Sequence, residues 1–79
     1  MDKYCVVVTD NWSNKVKVYS YETETLARDN LVIKYVREIL NHDCCDEEKT
    51  FYDEKKNFAQ FSDDGFRVIR FTLSEIKVE

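Results

Sequence analysis

The sequence has no proline, a single glycine (Gly65) and a single histidine (His42) among its 79 residues. Without proline or a glycine cluster there is no flexible Gly/Ser or proline-rich linker. A glycine-rich phosphate loop is excluded for the same reason. One histidine, with no nucleophile in a recognisable setting, leaves no arrangement for nucleophilic catalysis. Carboxylates are plentiful, but a general acid needs a shielded pocket, and a chain of this length has little room for one. No catalytic residue is therefore assigned, and the expectation is a non-enzymatic protein. No apolar run is long enough to span a bilayer, and no membrane partner is expected. MDKYCVVVTD passes straight into a strand-like run without the basic region and longer apolar stretch of a signal peptide.

Cysteines are few: Cys5, Cys44 and Cys45. An odd number with two adjacent argues against a disulfide framework and for a reducing, cytoplasmic setting. Cys44 and Cys45 lie in NHDCCDEEK (41–49), which holds zinc-ligand residue types. Structural zinc sites bring cysteines in pairs spaced by two to four residues, which adjacent cysteines do not match. A calcium loop counted from Asp43 to Glu54 places Glu48 where the turn requires glycine. The surrounding acids oppose a lowered thiol pKa. The segment reads as a solvated acidic loop, with no metal and no cofactor.

What is present favours a folded domain. Hydrophobic residues make up 43% of the chain and aromatics 14%, in patterned segments a disordered chain would lack. At 79 residues one domain is expected, over 1–79. The net charge is −4, and residues 43–64 alone carry −5. A near-neutral remainder with one acidic segment disfavours broad binding to nucleic acid.

Residues 3–9 (KYCVVVT) form a strand apolar on both faces, suited to the middle of a sheet. DNWSN supplies turn residues. KVKVYSY (15–21) alternates, with Val16, Val18 and Ser20 on one face and Lys15, Lys17, Tyr19 and Tyr21 on the other, so the two strands predict an antiparallel hairpin. A helix follows over about 24–41, capped by Thr23 or Thr25, with Glu22 and Glu24 at the positive end of its dipole. Its broad apolar face holds Leu26, Val32, Ile33, Val36, Ile39 and Leu40. A second stripe, Ala27, Leu31 and Tyr35, lies off that face. After the acidic segment, with a short strand near 50–53, NFAQFS and FRVIRFTL form a second hairpin around Asp64-Gly65, and the tail SEIKVE extends the last strand. The order ββα(β)ββ predicts an α+β two-layer sandwich, an antiparallel sheet of four or five strands with one helix across one face.

Two kinds of surface stand out. The stripe Ala27, Leu31 and Tyr35, together with Trp12 at the first turn, suggests contact with another protein, since large aromatics at turns serve as anchors. The stripe can equally pack beneath residues 42–56, against Phe51 or Tyr52. Lys15, Lys17, Tyr19 and Tyr21 interleave bases and aromatics; if the helix covers the valines, these four occupy the open sheet face and can stack nucleobases. The same alternation also serves to cover a solvated sheet. A third possibility is mimicry, with Asp43–Asp64 competing with nucleic acid for a basic partner. The reading is a small accessory or regulatory protein of the kind viruses and phages encode. It acts by binding an unidentified protein partner or itself. The alternative is a nucleic-acid-associated regulator using the Lys/Tyr face.

Overall fold

Strand β1 (Tyr4–Asp10) is paired along its whole length on both sides, with β2 (Lys15–Tyr21) and with β5 (Val68–Glu75). This is the central position its two apolar faces predict. Helix α1 spans Glu24–Asn41, and β3 (Phe51–Asp53) and β4 (Phe58–Ser62) complete the element order. All pairings are antiparallel, in the sheet order β2-β1-β5-β4-β3. The computed structural model describes residues 2–42, 44–63 and 66–76. The Asp64-Gly65 turn, Asp43 and the tail beyond Ile76 lie outside the described residues. The architecture is the α+β arrangement expected, with five strands and the helix packed on one face.

Local chemistry accounts for the boundaries. Thr23 caps α1, its Oγ1 accepting the N–H of Leu26 at 3.2 Å, and Glu24 occupies the positive first turn. Arg28 reaches back to Glu24 at 2.6 Å, and its Nε donates to Asn57 Oδ1 at 3.0 Å. In a chain so poor in glycine, the left-handed turn positions fall to asparagine: Asn14 at φ 55° and Asn57 at φ 50°. The end of β4 is tied sideways by Thr50, which exchanges hydrogen bonds with the Ser62 backbone, both at 3.1 Å.

The core comprises Val6, Ala27, Leu31, Ala59, Phe61, Ile69 and Phe71. Two sequence expectations are overturned here. The helix turns its Ala27, Leu31 and Tyr35 stripe toward the sheet, not its broad aliphatic face. Ala27 and Leu31 are fully buried, and Tyr35 meets Phe71 edge-on at 6.4 Å and Tyr52 at 6.5 Å. Burial pushes the Tyr35 phenol above its ordinary pKa. The physical reason is fit. The sheet offers the large rings of Phe61 and Phe71, and Ala27 lets the helix backbone come close while Leu31 and Tyr35 fill around them.

The second correction concerns β2. The open Lys/Tyr platform depended on the helix covering the valines, but Val16 and Val18 are exposed and the helix lies over the Lys/Tyr side. Register dictates this. Val6 faces the core and pairs with Tyr19, and Val8 pairs with Lys17; directly opposed residues share a face, so Val16 and Val18 must go outward.

Truncating Leu31→Ala is expected to cost about 2–5 kcal/mol, a large part of the stability of so small a domain. Ile33→Ala, on the outer side of the same helix, should stay within about 0.5 kcal/mol of the parent. Urea titration followed by circular dichroism separates the two, and a larger cost for Ile33→Ala than for Leu31→Ala would mean the helix is docked the other way round.

Candidate interaction surface

At about 100° per residue, Ile33 lies diametrically opposite the buried Leu31 and Tyr35, and Leu26 and Leu40 fall in line with it, one turn pair to either side. These are the residues the helix leaves outside. Leu26 is 49% exposed, Ile33 45%, Val36 40% and Leu40 77%. The helix is thus apolar on two sides, one spent on the core and one facing outward, while Val32 and Ile39 pack at the flanks against the core. Asp29 and Arg37 border the outer line, both exposed, and among the described residues neither has a side-chain hydrogen bond or ion pair. Asn30, also on this side, turns its amide back to the Leu26 carbonyl at 2.8 Å.

Two further exposed aromatics stand at one pole of the sheet. Trp12, in the β1–β2 turn, is 71% exposed, and Phe66, before β5, is 85% exposed. The Asn11 side chain joins the two turns, donating to the Phe66 carbonyl at 2.9 Å and accepting from the Val68 N–H at 2.7 Å. Below them Arg67 clasps Asp10, with Nη2 to Oδ2 at 2.7 Å and Nε to both carboxylate oxygens at 3.2 and 3.3 Å. The Arg67 hydrogen bonds hold the Asp10 carboxyl below its ordinary pKa of 3.8, outweighing the opposing effect of burial.

The Lys15, Lys17, Tyr19 and Tyr21 face does not form the open platform expected of it. It lies on the helix side, where the Lys34 ammonium sits 3.9 Å from the centre of the Tyr19 ring and Tyr21 packs against the core. Burial raises the Tyr21 phenol pKa. Lys34 thus covers one face of the Tyr19 ring and Tyr21 is drawn toward the core, so the two rings do not stand together on an open sheet face. Lys15 and Lys17 remain exposed, as suits an edge strand that must discourage pairing with other chains. On the opposite, open face Val16 and Val18 at one edge are separated from Phe51 and Phe58 at the other by residues such as Thr9, Arg70 and Thr72.

Three carboxylates of the acidic segment are occupied with turn-making. Asp46 Oδ1 accepts the Glu48 N–H at 3.0 Å, Asp53 Oδ1 the Lys56 N–H at 3.2 Å, and Asp63 Oδ1 the Arg67 N–H at 3.1 Å. His42 stacks on Phe61 at 4.7 Å and its Nδ1 is 2.8 Å from the Glu38 carbonyl oxygen. Cys45 packs toward the core while Cys44 faces outward. The cluster that looked compact in sequence is split between core and surface.

Sequence reading missed the outer helix face as a surface because it assigned those aliphatics to the core. The signal was present: two apolar stripes on one helix, with a single sheet to bury them. Compared with protein families, with curated proteins and with solved structures, the chain has no match.

The depressed pKa of Asp10 carries a pH signature. Its contribution to stability is fully present above the unfolded-state value near 3.8 and is lost as the pH falls through the lower folded-state value. Asp10→Asn should therefore be less stable than the parent at neutral pH, with the gap closing in acid. A urea series across that range reads this out, and a constant gap would deny the pair any linked protonation.

Proposed function

We propose that this protein is a non-enzymatic binding module whose working surface is the outer face of α1. One observation carries the reading: four large aliphatic side chains stand exposed along the side of a helix whose opposite side already fills the core. A helix of that kind, with no second layer above it among the described residues, presents the i, i+7, i+14 anchors by which helices seat against another apolar surface. Contiguous exposed apolar surface of this sort marks contact sites in small proteins. The core placement of Ala27, Leu31 and Tyr35 moves the proposed site off those residues and onto Leu26, Ile33, Val36 and Leu40. Trp12 keeps its proposed role. With Phe66 it supplies rigid aromatic area at the pole where the Asp10 and Arg67 side chains neighbour Glu38 of the helix.

Ile33→Asp should abolish capture of the protein's binding partner while leaving the circular dichroism spectrum and urea midpoint near those of the parent, because Ile33 stands outside the packed core. Trp12→Ala should weaken capture without abolishing it. Retention of the partner by a folded Ile33→Asp variant would remove the helix face from the reading.

A further inference from the structure

We infer that the outer face of α1 pairs with the same face of a second copy of this chain, the two helices running antiparallel about a twofold axis at Ile33. This rests on the helix face being the binding surface and names its occupant. The argument is self-complementarity. In an antiparallel pair centred on Ile33, each residue meets the one an equal distance beyond the centre. Leu26 comes level with Leu40, Ile33 meets its own copy, and Asp29 comes level with Arg37. The last match occurs twice, once on each side of the axis, as an isologous interface requires.

Asp29 and Arg37 are exposed, flank the aliphatic line, and have no side-chain hydrogen bond or ion pair among the described residues. Within one chain they stand more than two helical turns apart and cannot reach each other; a second chain brings each an opposite charge. A parallel pair would set Asp29 against Asp29 and Arg37 against Arg37, and would align the helix dipoles unfavourably. Leu26, Ile33 and Leu40 recur every seven residues, as the a positions of a two-helix seam do, with Asp29 and Val36 at the d positions between them. No second helix of the same chain lies above α1 among the described residues to block its approach. An 18-residue helix gives a seam of about 27 Å, toward the small end of specific interfaces. The association is therefore expected to be reversible and concentration-dependent.

Sedimentation equilibrium of the parent, with reductant present because Cys44 is exposed, should show monomer passing to dimer as concentration rises. Asp29→Arg and Arg37→Asp should each weaken the dimer by about tenfold or more, since each turns two attractions into repulsions. An equimolar mixture of the two single variants should associate again, because the arginine introduced in one chain then meets the native Arg37 position of the other, where an aspartate now stands. The double variant Asp29→Arg/Arg37→Asp should do the same alone. Circular dichroism confirms that each variant is folded. A parent dimer indifferent to both single variants overturns the antiparallel arrangement. A parent that stays monomeric up to about 1 mM overturns the second copy altogether. In that case, loss of a foreign partner on Ile33→Asp leaves the binding face intact, whereas capture unaffected by Ile33→Asp removes both readings.

Discussion

Leu31, fully buried with Phe61 and Phe71, decides which way the helix faces, and most of the surface follows from that choice. Once Ala27, Leu31 and Tyr35 go inward, the helix must turn Leu26, Ile33 and Leu40 to the outside, since they lie on the far side of the same cylinder. The register of β1 against β2 then places Lys17 and Tyr19 beneath the helix flank, where Lys34 covers the Tyr19 ring. The basic residues expected on an open sheet become the wall of a groove between β2 and α1, and the valines become the open face. One packing decision thus sorts every candidate surface of the molecule.

Around that apolar centre the polar residues act mainly as fasteners between elements distant in sequence. Arg67 and Asp10 join the approach to β5 to the end of β1, Asn11 repeats the link beside them, and Arg28 ties the helix to the β3–β4 turn through Asn57. Each is a charge-assisted or paired amide contact, the kind that retains value at a half-exposed site. They sit at the rim, where a polar group gives up less of its hydration than it would inside so small a core. The carboxylates of Asp46, Asp53 and Asp63 do comparable work in turns.

The elements were legible in the sequence because each rests on local chemistry. The period-two alternation of KVKVYSY, the Thr23 cap and the span of α1 needed no knowledge of the rest of the chain. The short strand Phe51–Asp53 was visible as an apolar interruption in an acidic run. What could not be read was orientation. A helix with apolar residues on two sides gives no periodic signal for which side meets the sheet; that depends on the shapes of Phe61 and Phe71, which are contributed by strands much later in the chain. The same uncertainty passed to β2, whose valines and tyrosines are equally good candidates for burial until the neighbouring register is known. Trp12 was read correctly as a turn residue, but its companion Phe66 was taken simply as part of a strand. The pairing emerges only when Asn11 brings the two turns together.

The pairing of β1 with β5 has a consequence for how the chain is made. The strand at the heart of the sheet is the earliest of the described strands in the sequence, and one of its two neighbours, β5, is the latest of them. Synthesis proceeds at about 5–20 residues per second. For seconds, therefore, β1 and β2 exist as a hairpin without the Ile69 and Phe71 side chains that complete their core, and an isolated hairpin is marginal in water. The helix, in contrast, can form on its own timescale and packs against β1, β2 and β4 as well as β5. The β1–β5 ladder joins strands from opposite ends of the described chain, so its closure carries the largest loop-entropy cost in the sheet. Until it closes, the exposed Lys15 and Lys17 side chains guard the edge of the β1–β2 hairpin against pairing with other chains.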